Sequence, residues 1–210
     1  MMNLYDLKRS LISFVYPNRC PFCDKVITAG GFFCENCAEL DYFKNDMSSK
    51  NTFCCVYNEK SKPFLSKAKE NADGYAISAA AKLLHDALVR NNVLHKIDII
   101  TAIPARKAAK KQRGYNFPAL LAKEIAQLSE KKYSPKMLVL LRETEEQKEL
   151  SAEARAENLK GAFGARKLFP GLNVLVIDDV CATGATLNEA RRTLEERADA
   201  VFIAAFAKTI

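Results

Sequence analysis

The stretch Val174-Leu175-Val176-Ile177-Asp178-Asp179-Val180-Cys181-Ala182-Thr183-Gly184-Ala185-Thr186-Leu187 decides how this chain folds. Its first four residues are apolar without alternation, the pattern of a central parallel strand covered on both faces. Asp178 and Asp179 are therefore expected at the strand's carboxyl end, the edge where ligands bind in open α/β sheets. Cys181, Ala182, Thr183, Gly184, Ala185 and Thr186 then make a short loop that opens a helix. Backbone N–H groups and the positive end of the helix dipole favour an anion there, with the Thr183 and Thr186 hydroxyls beside it. A phosphate fits this loop. The competing reading is a strand-turn-helix capped by Thr186, with both aspartates merely solvated.

Outward from that stretch, helix and strand alternate from about residue 75 onward. Ile77, Ala80, Ala81, Leu84 and Leu88 mark one helix, and Phe117, Leu120, Leu121, Ile125 and Leu128 mark another. Strands are expected at Ile97–Ile103, ending at Pro104, at Met137–Leu141 and at Val201–Phe206, with helices after Ser151 and from about Thr186. That order means βαβ units, hence an α/β fold with a mainly parallel sheet and flanking helices. Residues 38 to 74 are mixed and polar in stretches, and read as the remainder of an N-terminal module with its connection to the main domain.

The chain has 210 residues, nearly half of them hydrophobic, enough for one α/β domain plus a small appendage. Lys and Arg number 32 against 25 Asp and Glu, a formal charge of +7 that favours phosphate-bearing partners. Asp6, Lys8 and Arg9 interrupt the apolar amino terminus and no other segment reaches membrane-spanning length, so a cytoplasmic protein is expected. Leu4, Leu7, Leu11 and Phe14 recur at helical spacing. The amphipathic helix they describe is short and weakly basic, which favours packing on the protein over association with a membrane.

Four of the seven cysteines are paired: Cys20 and Cys23, then, after ten residues, Cys34 and Cys37. Each C-x-x-C turn lets two thiolates converge, and four thiolates satisfy tetrahedral zinc with no position left for water. The metal would be structural, folding a ribbon within residues 1–60, with the main domain at 61–210. A redox dithiol is the competing reading. Cys54 and Cys55, in Thr-Phe-Cys-Cys-Val-Tyr, read as small buried hydrophobes on a strand. Cys181 lies where neighbouring N–H groups could lower its pKa, although a bystander role is preferred.

The strand ending at Pro104 runs into Ala105, Arg106, Lys107, Ala108, Ala109, Lys110, Lys111, Gln112, Arg113, Gly114, Tyr115 and Asn116. A basic run is usually a solvated face, but this one follows a second parallel strand at the ligand edge. A turn with a cation such as Arg106 suits a diphosphate carrying Mg2+.

The 174–187 stretch resembles the phosphoribosyl-diphosphate (PRPP) motif of type I phosphoribosyltransferases. The resemblance implies that Asp178 and Asp179 hold the ribose 2′- and 3′-hydroxyls, that residues 181 to 186 hold the 5′-phosphate, and that the loop with Ala105 and Arg106 meets pyrophosphate. The whole order is similar to the ComF/ComFC competence family: a four-cysteine zinc ribbon, Ile103-Pro104, a basic loop ending Arg113-Gly114-Tyr115-Asn116, then Arg142, Thr144, Gln147, Leu150-Ser151, Arg155, Asn158, Phe163 and the aspartate loop. Within the middle run, Ser151 reads equally well as a helix cap whose Arg155 and Asn158 face solvent.

The chain departs from that pattern in three places. Phe117 stands where an amide is usual and Ala182 where Thr is usual, and the Lys67–Asp73 segment matches only loosely, leaving the roles of Lys67 and Lys69 open. Ala182 can neither take a proton from a purine nor bond to one, which counts against purine salvage. The two histidines, His85 and His95, lie outside the candidate loops. One reading is therefore a competence protein that handles incoming single-stranded DNA on a PRPP- and Mg2+-binding scaffold, with Tyr115 and Phe117 as stacking platforms among the cations. By the resemblance, its partners would include a helicase or recombination proteins. The other reading is a phosphoribosyltransferase that releases pyrophosphate to an acceptor the sequence does not name, with no general base identified.

Overall fold

A computed structural model describes residues 17–21, 23–27, 33–35, 40–46, 48–70, 73–143, 152–166 and 169–210. The helix expected around Leu4–Phe14 and the fourth cysteine, Cys37, lie outside these residues.

The elements run β1 (Asn51–Val56), α1 (Ser61–Glu70), α2 (Gly74–Arg90), β2 (Ile99–Ala102), α3 (Lys107–Arg113), α4 (Phe117–Leu128), β3 (Lys132–Tyr133), β4 (Leu138–Leu140), α5 (Ala152–Leu159), β5 (Phe163–Ala165), β6 (Phe169–Cys181), α6 (Ala185–Glu195) and β7 (Ala198–Lys208). Five strands form one sheet in the order β1-β7-β6-β2-β3, parallel at every pairing. From β2 the chain moves outward to β3, and from β6 it moves the opposite way to β7. The boundary between β2 and β6 is thus the switch point of the sheet, where a crevice opens at the strands' carboxyl ends.

The Val174–Ile177 run behaves as its composition requires. Leu175 and Ile177 face the core under α1, α2 and α4, with Phe64, Leu84, Leu121 and Phe206. Val174 and Val176 face the other side, with Leu187, Ala190 and Leu194 of α6 and with Met137, Leu138 and Phe163. All four residues of the run are fully buried, so β6 needs apolar side chains on both faces.

Three expectations change. Strand Met137–Leu141 does not join the parallel sheet: β4 pairs antiparallel with β5, a separate two-stranded unit beside α6. A strand preceded by another strand, with no helix between them, has lost the crossover that parallel pairing needs. Residues 38–74 are not only a module remainder, because β1 pairs with β7 at the sheet edge and α1 buries Phe64, Leu65 and Ala68 in the main core. The segment Asn51–Val56 therefore belongs to the main sheet although it precedes the boundary expected at residue 60. Finally, the basic run after Pro104 is a helix, α3, and not an open loop. Gly114 ends it at φ +82°, a left-handed conformation that glycine adopts without strain.

The β4–β5 unit is tied to the main domain by Glu189 of α6. Its carboxylate accepts the Gly161 backbone N–H at 2.7 Å and is paired with Arg192 at 2.8 Å. Arg192, and then the Gly161 N–H, hold this carboxyl below its ordinary range against the cost of burial.

Candidate functional site

A cleft of about 350 Å³ opens at the switch point. All ten residues singled out for ligand binding line it: Ala105 and Arg106 from the turn after β2, Asp178 and Asp179 from β6, and Cys181, Ala182, Thr183, Gly184, Ala185 and Thr186 from the loop into α6. The turn after β2 is held on both sides. Ile103 N–H donates to Ile177 O at 2.9 Å and Asn116 Nδ2 donates to Ile103 O at 2.9 Å.

The aspartates are not solvated. Both lie inside β6, 8% and 9% exposed. Asp178 Oδ1 accepts the Asp179 backbone N–H at 2.8 Å, and Asp179 Oδ1 accepts the Val180 N–H at 2.9 Å. Burial, reinforced by the neighbouring Asp179 charge, pushes the Asp178 carboxyl well above the usual carboxylate range, with Lys69 acting weakly against it. Lys69 Nζ reaches Asp179 Oδ2 at 2.5 Å from the last turn of α1. A buried acid pair partly neutralised by one lysine is arranged to take hydroxyl donors or a cation.

The loop after the pair ends at Gly184, which caps α6 with φ +84°. Gly184 has no side chain to cap this helix, Thr183 Oγ1 accepts only the Ala185 N–H, at 3.4 Å, and Ala185, Thr186 and Leu187 of its first turn line the cleft. The N-terminal N–H groups and the dipole of α6 are thus presented where an anion is favoured. A Cβ at 184 would meet Asn188 and Cys181 only at ordinary contact distances of 3.5 and 3.8 Å, so backbone strain dominates the cost of substitution. Gly184→Ala is expected to cost about 1–2 kcal/mol, the penalty for left-handed backbone, read by urea denaturation. A variant as stable as the parent would contradict this account of the loop.

Cys181 is 5% exposed, and burial pushes its thiol up despite Lys208 nearby. The bystander role preferred for Cys181 therefore stands over a reactive thiol, because burial, with the Asp178 charge, outweighs Lys208. The stacking role for Tyr115 and Phe117 is also corrected. Phe117 is fully buried in the core, and the Tyr115 hydroxyl donates to Lys69 O at 2.7 Å. Among the cations after Pro104, Arg106 and Arg113 line the cleft. Lys107, Lys110 and Lys111 are exposed on α3.

Of the middle run, Asn158 and Phe163 line the cleft together with Leu140 and Leu159, closing it from the β4–β5 side. Arg142 instead donates to the carbonyls of Asn158 and Lys160 at 2.7 and 2.9 Å, tying the end of α5 to the strand unit. Thr144, Gln147, Leu150, Ser151 and the side chain of Arg155 lie outside the described residues. His85 sits against Asp86 on α2, and His95 in a short 3-10 turn at Leu94–Lys96, both away from the cleft lining. Sequence reasoning left Lys69 open and missed Arg113 as a cleft residue.

In the cysteine segment, the sulfurs of Cys20, Cys23 and Cys34 lie within 4.8 Å of one another, those of Cys23 and Cys34 at 3.6 Å. Tetrahedral zinc with Zn–S near 2.3 Å spaces its sulfurs by about 3.8 Å, whereas a disulfide needs about 2.05 Å. The cluster can therefore hold a metal ion. Cys54 and Cys55 lie elsewhere, buried on β1.

Fold and cleft together define an open, doubly wound α/β protein whose site is built at the switch point from two strand ends and a helix N-terminus. The chain is similar to competence proteins. It is 25% identical to competence protein F of Haemophilus influenzae over 93% of this chain and 94% of that protein. It is 26% identical to competence protein ComFC of Bacillus subtilis over 94% of this chain and 80% of that protein. To the DNA utilization protein YhgH of Salmonella typhimurium it is 31% identical, over 57% of this chain and 53% of that protein. No family model matches the chain. Among solved structures it is similar to an adenine phosphoribosyltransferase from Thermoanaerobacter pseudethanolicus, at 17% identity and TM-score 0.39, covering 66% of this chain and 83% of that one, a likeness too distant to carry an argument.

Proposed function

We propose that this chain is a competence protein that handles incoming single-stranded DNA in the cytoplasm, and that its cleft binds PRPP with Mg2+. The observation that carries the reading is the acid pair. Asp178 and Asp179 are buried at the carboxyl end of a central strand, shortly before the N-terminus of α6 and in one cleft with Arg106. Ribose hydroxyls donate to carboxylates, a 5′-phosphate takes the N–H groups and dipole of α6, and a diphosphate takes the cations of the β2–α3 turn. Mg2+ would neutralise the diphosphate. The relatives' names supply the competence role. Among the described residues no helix is long and apolar enough to cross a membrane.

The DNA surface is the outer face of α3. Lys107, Lys110 and Lys111 recur at helical spacing and are exposed, on the rim of a cleft that Arg106, Ala109 and Arg113 line. Backbone phosphates are read by such a row without sequence preference. Lys110→Ala with Lys111→Ala is expected to weaken single-strand binding about tenfold at 0.1 M salt and to make the salt dependence shallower by roughly one contact per lysine. Fluorescence anisotropy with a labelled oligonucleotide across a salt series checks it; an unchanged slope would contradict this surface. The cysteine cluster, in the same reading, holds one structural zinc with Cys37 as the fourth thiolate.

The transferase reading makes a different prediction. Alanine at position 182 of the cleft offers no proton acceptor to an incoming base. Incubation of the protein with PRPP and Mg2+, with and without oligonucleotide, is expected to show PRPP bound and no pyrophosphate released above the uncatalysed rate. Sustained release would instead establish a phosphoribosyltransferase with an acceptor still to be found.

A further inference from the structure

The last turn of α1 touches three parts of the molecule that the sequence shows as separate. Lys67 is paired with Asp24, in the turn between Cys23 and Lys25. Lys69 is paired with Asp179 at 2.5 Å. Glu70 lies 3.6 Å from Arg113 at the end of α3, and the carbonyl of Lys69 itself accepts the Tyr115 hydroxyl at 2.7 Å. One helical turn thus stands between the cysteine knuckle, the acid pair and the basic helix.

Lys69 is only partly enclosed. Its side chain is 29% exposed and lines the cleft. An ammonium has three donors, and the contact with Asp179 uses one. The contacts of Glu70 and of the Lys69 carbonyl both reach the α3 end, and Lys69, Arg106 and Arg113 line one cleft with the acid pair. An anion bound in that cleft is within the space that the remaining donors of Lys69 share.

We propose that Lys69 is a ligand-binding cation of this cleft, bridging Asp179 to the diphosphate of the bound sugar, and that Lys67 is a positioning residue that holds α1 in register by its pairing with Asp24. The inference rests on the PRPP reading of the cleft and adds to it the residue that tells a diphosphate-bearing sugar from one without. Lys69 does two things at once. It balances the charge of Asp179, and it meets the ligand's charge from the same position. Lys67 acts at a distance from the ligand: without its pairing with Asp24 the end of α1 keeps its contacts with Arg113 and Tyr115, but Lys69 is held less closely in place.

The test is isothermal titration of the full chain with two probes, PRPP with Mg2+ and ribose 5-phosphate, which shares the ribose and the 5′-phosphate but lacks the diphosphate. Lys69→Met keeps the aliphatic stem and removes the charge. It is expected to weaken PRPP about tenfold to a hundredfold, the size of one charge-assisted contact, and to leave ribose 5-phosphate within about twofold. Lys67→Met is expected to weaken PRPP by about threefold or more in the same selective way, with Lys67→Arg restoring it, because only the pairing with Asp24 is needed there. If Lys69→Met fails to give a cooperative thermal transition, Lys69→Gln carries the same expectation while leaving Asp179 a neutral donor. Unchanged PRPP affinity, tighter PRPP binding, or an equal loss for both probes would overturn the proposal, the last because it would show Lys69 acting only as counter-ion to Asp179. A parent protein that binds neither probe would overturn the PRPP reading itself, and is distinguishable because no variant is needed to see it.

Discussion

Asp178→Asn is expected to raise the melting temperature of the ligand-free protein and, in the same variant, to abolish the further rise that PRPP produces in the parent. The two effects have one cause. Asp178 is 8% exposed and sits beside a second carboxylate, so the fold resists its ionisation and its carboxyl is pushed well above the value of 3.8 it has when free. A group that holds its proton more tightly when folded favours the fold at low pH. That contribution is full below the unfolded value of 3.8 and is lost as the pH rises from there through the folded value. At neutral pH, above the unfolded value, the parent therefore carries a penalty that the amide, which keeps the acceptor for the Asp179 N–H, does not. For a chain of this size a gain of about 1 kcal/mol corresponds to a rise of roughly 2–4 °C. The gap between variant and parent should close as the pH falls toward 4. Ligand works in the opposite sense: at a hundredfold excess over its dissociation constant PRPP should stabilise the parent by about 2.7 kcal/mol and the variant by almost nothing. Scanning calorimetry at several pH values with and without PRPP and Mg2+ checks both halves. A variant less stable than the parent at pH 7 would mean that Asp178 is a satisfied structural carboxylate and not a site held ready for a ligand.

The second large effect concerns the cysteine cluster. The protein is expected to carry one zinc per chain, and Cys20→Ser to lose it. Cys20 is fully buried and its carbonyl accepts the Asp24 N–H at 2.9 Å, so the knuckle that presents the thiolates is built around it. Structural zinc contributes about 10–16 kcal/mol to comparably small modules, which do not fold without it. Loss of the metal should therefore open the cysteine segment to protease while the five-stranded sheet, with its own two-sided core, stays folded. Elemental analysis and limited proteolysis report these outcomes. A metal-free Cys20→Ser protein whose cysteine segment remains protected would remove the zinc from this account.

What could be read from the chain follows from how local each signal is. The Val174–Ile177 run announces its two-sided burial in four adjacent residues, and the acid pair and the loop into α6 come with it in fixed order, so sheet, edge and cleft were all legible there. The helices at Gly74–Arg90 and Phe117–Leu128 were legible through apolar spacing alone. Strand β4 was visible as a strand but not as part of a separate antiparallel pair, since its partner, Phe163–Ala165, is only three residues long and includes a glycine. Phe117 was misjudged as a stacking platform because an aromatic next to cations looks the same whether its ring points outward or into the core. Here it is the first residue of α4, on that helix's buried face. Lys69 was left open because a salt bridge across 110 residues of sequence leaves no local trace. Its partner, Asp179, was identified for a different reason. The same holds for Glu189 and Gly161, where a buried helix carboxylate accepting a distant backbone N–H is invisible until the fold places the β4–β5 unit against α6.

The account stands or falls on whether the acid pair holds a phosphoribosyl ligand. Titration of PRPP with Mg2+ into the parent protein and into the Asp178→Asn, Asp179→Asn double variant, in one calorimeter at one salt concentration, tests that most directly. The account predicts saturable one-to-one binding by the parent and at least a hundredfold weaker binding by the folded double variant, the loss expected when two hydrogen-bonded charges leave a ligand. Equal affinity for the two proteins would contradict it.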